Sequence, residues 1–441
     1  MSDERASETD SAATAPSPEA WLRDVLMATE RLPPAELAAY QRRSLEIMLR
    51  HAFEQCPFYR SRLAPLFNAG GELRLDRWNE VPILDRTQVQ QSASDILARE
   101  TPKEAGKTHI GTTTGSTGIP LELHLSNIMA SVAGALESRK LRWHNVDFNG
   151  RLAEIRTRKE DDARYPDGRR SPRWNRWGSG DCVTLSVRTS TIEQQLDWLA
   201  RMEPTYLRTY PSVARAVLEE ADRRGIKLPI AGLFTVGETV PDELRQGRPA
   251  HWPVTIDTYA TTESGPLCGE CPRGSYHVHV ENVLMEILDE NDLPVSPGCA
   301  GRVVFTSLYN FAMPFIRYAV GDYVEAGDGA CSCGLTLPTV KRVVGRQRNL
   351  FRFGERTIWP STRSTIMREF VPYRYRQIAQ VAPFTVEFRY APVAEDQTED
   401  PERLQAYLKE VLDSRIQVSL KRVPLPDRSR GQKIEDYTCE I

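Results

Sequence analysis

No apolar run in this chain approaches the roughly 20 residues of a bilayer-spanning helix, so it offers no candidate transmembrane segment. Positive charge is not in excess: 57 Lys and Arg stand against 60 Asp and Glu, and the net −3 lacks the basic footprint of a nucleic-acid or acidic-membrane binder. Residues 1–19 have neither a basic start nor an apolar centre. Their Ser/Ala/Thr/Pro/Asp/Glu composition predicts a disordered tail and not a secretory signal. No internal repeat is visible. Cysteines are few (56, 182, 268, 271, 299, 331, 333 and 439). Without an export signal they should be reduced in a cytoplasmic protein, where clustered thiols point to metal ligation before disulfides.

What is present is an ordinary globular composition over 441 residues, long enough for two cores. Apolar spacing at Leu37, Leu45, Ile47, Met48 and Ala52 predicts a helix over 34–54, and another follows over 126–143. The Arg/Asp/Pro/Gly-rich stretch 150–180 reads as an exposed excursion. Strands at 183–187, 230–236 and 254–258 alternate with helices at 191–202 and 212–224, and 283–288 with 301–308 reads as a hairpin. After 345 the pattern changes to a small α+β unit with a helix around 361–369, a strand at 384–390, a helix over 401–412 and a strand at 418–423. The expected division is a tail (1–19), a large α/β domain (20–345) and a C-terminal domain (346–441).

Chemistry concentrates in five segments. Thr112-Thr113-Thr114-Gly115-Ser116-Thr117-Gly118-Ile119-Pro120 packs hydroxyls and glycines into a loop after a strand-like start, the donor set a polyphosphate needs. No Gly-Lys-Ser/Thr pair closes it, which excludes a Walker loop. Then come Phe234-Thr235-Val236-Gly237-Glu238-Thr239, Asp257-Thr258-Tyr259-Ala260-Thr261-Thr262-Glu263-Ser264-Gly265, Ile316-Arg317-Tyr318-Ala319-Val320-Gly321-Asp322 and Val343-Val344-Gly345-Arg346. Taken singly, each has an ordinary structural explanation: Tyr259 as core, Glu263 as a solvated carboxylate, Asp322 as a turn residue, Arg346 as surface charge. Their weight is joint.

In this order the segments resemble the adenylate-forming superfamily of acyl-CoA synthetases, adenylation domains and luciferases, in its phenylacetate–CoA ligase and CapK-like branch. Residues 41–62, with Pro57-Phe58-Tyr59-Arg60, and Val81-Pro82-Ile83-Leu84-Asp85-Arg86 are similar to that branch as well. The resemblance implies a large α/β N-terminal domain, its sheets flanked by helices, and a small mobile α+β C-terminal domain. It implies that Thr113, Thr114, Gly115, Ser116, Thr117 and Gly118 wrap the β- and γ-phosphates of ATP. Gly237, Glu238 and Thr239 would line the base pocket, Tyr259 would stack on adenine beside Thr262, and Asp322 would hold the ribose. Glu263 would hold Mg²⁺, and Arg346 would cap the nucleotide at a hinge over 345–349. Three departures stand out. Ile119 occupies the place of a phosphate-binding Lys, so that charge must come from elsewhere. The catalytic C-terminal lysine has Lys433 as its nearest candidate, one residue displaced. The hinge pair, often acidic in relatives, is Arg348-Asn349.

Cys268-Gly269-Glu270-Cys271, His277, His279 and Cys331-Ser332-Cys333-Gly334 together match a closed tetrahedral zinc site. By resemblance to members of the branch the ligands are Cys271, His277, Cys331 and Cys333, with Cys268 in reserve. The expected activity is adenylation of a carboxylic acid, aromatic by analogy, and transfer of the acyl group to CoA, a carrier-protein thiol or an amine. No nucleic-acid or membrane partner is expected, and a homodimer is an open expectation. Two rivals stand beside this: a nucleotidyltransferase acting on a non-carboxylate acceptor, and a degenerate nucleotide-binding scaffold.

Overall fold

The computed structural model describes residues 18–113, 121–158, 163–245, 247–329, 331–346, 349–360, 362–426 and 435–441. The expectations for Thr114, Gly115, Ser116, Thr117, Gly118, Ile119, Arg348 and Lys433 lie outside them. No helix among the described residues is long and apolar enough to cross a membrane.

The helix Pro34–Gln55 buries Leu37, Leu45, Met48, Leu49 and Ala52. Ile47, expected on that stripe, is 60% exposed. Two residues beyond Leu45 is about 200° of rotation, which carries it to the solvent face. A further helix, Pro18–Thr29, begins inside the expected tail. It packs Leu22 and Leu26 against Val132, Ala135 and Leu136 of the helix Asn127–Trp143.

The large sheet has a parallel and an antiparallel half. In the parallel half, Cys182–Ser186, Leu152–Arg156, Tyr206–Thr209, Gly232–Thr235 and Val254–Thr261 lie side by side. One face of it is covered by the helices Ile192–Met202 and Pro211–Arg224, through Leu196, Leu199, Val213 and Val217. The other face meets Leu141 of Asn127–Trp143 through Leu152, Tyr206, Phe234 and Ile256. Burial on both faces is the normal environment of parallel strands. The helix Ile192–Met202 starts at a capping box between Thr191 and Gln194.

Val254–Thr261 joins the halves. Beyond it the order is Gly265–Glu270, Tyr276–Val278, Thr339–Arg346, Tyr318–Ala326, Ala300–Ser307 and Val283–Leu288, all antiparallel. The expected hairpin is the last pair. The expected excursion at 150–180 is corrected: it opens with Leu152–Arg156, a central strand with four buried residues. Its polar look comes from Glu154, whose charge is matched inside the sheet by Arg208 on the neighbouring strand.

The large sheet's strand Thr339–Arg346 ends where a separate core begins at Phe351. That core underlies four strands in the order Gln417–Arg422, Thr385–Pro392, Tyr373–Ala382 and Tyr437–Cys439. Ion pairs fasten this unit to the helix Pro211–Arg224: Arg368 to Glu219 at 2.7 Å, and Asp436 to Arg215 at 3.6 Å.

Candidate active site

Parallel strands deliver their carboxyl ends to one crevice, and in this sheet that crevice lies where the parallel half meets the antiparallel half. A cavity of about 790 Å³ opens there. It is lined by Thr113, Gly237, Glu238, Thr239, Tyr259, Thr262, Glu263, Asp322 and Arg346, which are all the described residues assigned to nucleotide binding or catalysis from sequence. Segments more than two hundred residues apart thus converge on one space.

Tyr259 stands near the end of Val254–Thr261, beside a register shift between Tyr259 and Ala260. Its ring is buried and its hydroxyl donates to Asp322 Oδ2 at 3.0 Å. Asp322 is paired across the sheet with Arg346, whose Nε lies 3.6 Å from Asp322 Oδ1. Tyrosine, aspartate and arginine therefore form one chain along the cavity wall. Burial, then Asp322, hold the Tyr259 phenol well above its ordinary value, so it remains a donor.

Glu263 sits in the turn between Val254–Thr261 and Gly265–Glu270. Ser264 N–H donates to Thr261 Oγ1 at 3.2 Å, and Gly265 takes φ +75°, a conformation that favours glycine. The turn is thereby fixed with a buried carboxyl on the cavity wall. Burial raises the Glu263 carboxyl above the usual range, against the lowering influence of Arg86 and Arg346. A carboxylate penalised in this way gains from a hard cation beside it.

Glu238 has a structural duty too. Its two oxygens accept from Ser212 N–H at 3.0 Å and Ser212 Oγ at 3.1 Å, which caps the first turn of Pro211–Arg224. Thr113 Oγ1 accepts from Leu121 N–H at 3.2 Å and from Arg86 Nη2 at 3.0 Å. Arg86 was not assigned a role from sequence, although it occupies the basic position of the segment 81–86. It is the first residue of the helix Arg86–Gln91, fixed by an Asp85–Gln88 capping box.

A second missed group lies on the same wall. Asp257 accepts from Thr235 and Tyr276 hydroxyls, and Arg245 pairs with Asp257 and Glu270. Burial alone would lower the Arg245 guanidinium, but Tyr276, Glu270 and Asp257 together hold it above its ordinary value. Burial, opposed by Arg245, pushes Glu270 up to about 7. Spacing could not reveal this set, because Arg245 belongs to no motif.

The sulfur-rich residues assemble separately. Ligand atoms of Cys271, His277, Cys331 and Cys333 all lie within 4.8 Å of one another. Cys271 Sγ and Cys331 Sγ are 3.7 Å apart, and Cys333 Sγ is 3.2 Å from His277 Nε2. Thiolates bonded at about 2.3 Å to a tetrahedral zinc would be about 3.8 Å apart, so the donor set fits that ion. His277 Nδ1 faces Leu337 O at 3.1 Å, which leaves Nε2 as the ligating nitrogen. Cys268 lies outside the cluster, against Met285. His279 is engaged by Arg139 Nη2 at 2.8 Å.

Among protein-family models none matches this chain. A phenylacetate–coenzyme A ligase of Thermus thermophilus is 22% identical over 92% of this chain and 97% of its own length. A crystal structure of 2-hydroxyisobutyryl-CoA ligase, in the postadenylation state with 2-HIB-AMP, has a TM-score of 0.71 at 18% identity, covering 93% of this chain and 90% of that one. The same ligase in the thioesterification state, with 2-HIB-AMP and CoA, has a TM-score of 0.57 at 17% identity, covering 91% and 90%. The chain thus shares its fold with 2-hydroxyisobutyryl-CoA ligase over nearly its whole length. A phenylacetate–coenzyme A ligase of Pseudomonas putida is 23% identical over 74% of this chain and 74% of its own length.

Proposed function

We propose that this chain is an ATP-dependent, AMP-forming ligase that adenylates a carboxylic acid and passes the acyl group to CoA. The observation that carries the reading is the convergence of Thr113, Glu238, Tyr259, Glu263, Asp322 and Arg346 on one cavity. CoA is preferred over a carrier-protein thiol or an amine because the relatives are CoA ligases.

In the first half-reaction the acid's carboxylate oxygen attacks the α-phosphorus of ATP, and the bond to the bridging oxygen of pyrophosphate breaks. Acyl-AMP and pyrophosphate result. Such a displacement asks the protein for alignment and charge neutralisation and for no covalent intermediate of its own. Asp322 receives the ribose hydroxyls, the Tyr259 ring bounds the base, and Arg346 lies over the nucleotide from the edge of the sheet. Arg86 and Thr113 meet the phosphates. Mg²⁺, held by Glu263, would supply neutralising charge at the phosphate oxygens. In the second half-reaction the CoA thiolate attacks the acyl carbon and AMP leaves. A rotation of the C-terminal unit about residues 345–349 would exchange one arrangement for the other.

A closed four-ligand zinc at Cys271, His277, Cys331 and Cys333 would be structural, tying Tyr276–Val278 to the loop before Thr339–Arg346. Reduced thiols there suit a cytoplasmic location. The deciding experiment supplies ATP, Mg²⁺, hydroxylamine and a panel of acids to the full chain. Hydroxamate and pyrophosphate should form together from at least one acid, and thioester should replace hydroxamate when CoA replaces hydroxylamine. Transfer of AMP to an alcohol without any hydroxamate would overturn the reading.

A further inference from the structure

Five charged side chains meet between the helix Asn127–Trp143 and the parallel strands. Arg208 Nη1 is 3.1 Å from Glu154 Oε1, and its Nη2 is 3.5 Å from Glu137 Oε1. Lys140 Nζ is 3.0 Å from Glu137 Oε2, and Arg158 pairs with Glu154. The cluster touches the nucleotide cavity through Thr258. That residue lines the cavity, receives a hydrogen bond from Lys140, and donates to Glu137 Oε2 at 3.2 Å. An apolar layer of Leu141, Leu152, Tyr206, Phe234 and Ile256 lies beside it.

Three features set this cluster apart from a structural ion network. Among the described residues, Lys140, Arg158 and Arg208 pair with Glu137 and Glu154 only, three positive charges against two negative ones. Glu137 and Arg208 keep 26% and 18% of their side-chain surface open, although helix and sheet stand on either side. Arg158 Nε is buried with no hydrogen-bond partner among the described residues. A pocket built for an unadorned aryl or alkyl acid would be lined by apolar groups at this depth. Charge left over beside open space instead favours a ligand that brings an acceptor.

On the adenylation reading above, we propose that this cluster selects the acid: the substrate class is a carboxylic acid carrying a second acceptor group, a carboxylate or hydroxyl, at the end remote from the reacting carboxylate. Arg208 and Arg158 donate to that group, and Glu137 holds Lys140 and Arg208 in place.

The test is pyrophosphate release by the full chain with ATP and Mg²⁺ over two matched series: benzoate, 3-hydroxybenzoate and isophthalate, then butyrate, 4-hydroxybutyrate and succinate. In at least one series kcat/KM should favour an acceptor-bearing member over its plain parent by about tenfold or more. Arg208→Met should reduce that ratio to about threefold or less. Should that variant fail to fold, Arg158→Gln, at a residue 40% exposed, should lower the same ratio with an unchanged Tm. Preference for the plain acids overturns the inference and leaves adenylation standing, as does a ratio that neither variant moves. No pyrophosphate or hydroxamate from any acid overturns the adenylation reading itself, and this inference with it.

Discussion

Replacing Asp322 by Asn tests the nucleotide assignment at its most constrained point. The side chain is 15% exposed, between the Tyr259 hydroxyl at 3.0 Å and Arg346 Nε at 3.6 Å. Asparagine keeps an oxygen for the tyrosine and drops the charge. Hydrogen bonds to a charged group contribute about 1.5–3 kcal/mol against about 0.5–1.5 for neutral ones, a difference of about 1–1.5 kcal/mol per bond. With two ribose hydroxyls as donors the loss is about 2–3 kcal/mol, or roughly 30- to 150-fold in binding. Arg346 is 34% exposed, so its pair with Asp322 contributes only about 0–1 kcal/mol to the fold, and the variant should stay folded. The assay is pyrophosphate release at saturating acid with ATP varied. KM for ATP should rise by that factor at little cost in Tm. A KM within about threefold of the parent, in a folded variant, would remove the ribose from this carboxylate.

Two further outcomes are expected. Elemental analysis of protein prepared without chelator should find about one zinc per chain, and Cys333→Ser should lose the metal and lower Tm; stoichiometric iron or no metal would refute the assignment. Glu270, pushed up to about 7 from 4.5 by burial, contributes stability that is complete below about pH 4.5 and lost as pH rises through about 7. The Tm advantage of the parent over Glu270→Gln should therefore shrink between pH 5.5 and 8.5, by the equivalent of about 2 kcal/mol; an advantage that is flat or grows would contradict the sign.

Much of the frame was legible because its signals are local. The helix over 34–55 and the hairpin near 289–292 follow from period and turn chemistry, and the capping box at Thr191 marks a helix start. Most of the described motif residues line one cavity because they sit at the end of a strand or in the turn after it; Asp322 reaches it from the middle of Tyr318–Ala326. What escaped depends on distant partners. Leu152–Arg156 reads as exposed because two of its five residues are charged; no local rule could know that Glu154 meets Arg208 fifty-four residues on. The Arg245 set has the same cause. Ile47 was misassigned by counting apolar residues without following their rotation around the helix.

On the adenylation reading, the charge that a loop lysine would bring to the phosphates can come from another place in the sequence. At Ile119 the chain carries a residue that cannot meet a phosphate. Yet Arg86 donates to Thr113 at 3.0 Å, at the foot of that loop, thirty-three residues before Ile119. Its helix is held at both levels: locally by the Asp85–Gln88 capping box, and across the fold by Leu84, whose N–H donates to Arg317 O at 2.8 Å and whose carbonyl accepts from Ala319 N–H at 2.8 Å. The strand that carries Asp322 thus also positions Arg86, so on the adenylation reading ribose and phosphate contacts would share one rigid support. A cation fixed to that support loses less freedom on meeting a phosphate than a lysine on a glycine-rich loop would. On the adenylation reading, Arg86→Met should then lower kcat more than it raises KM for ATP, because the pyrophosphate gains charge as the α-phosphorus bond breaks. An equal rise in KM with kcat unchanged would make Arg86 a ground-state contact only.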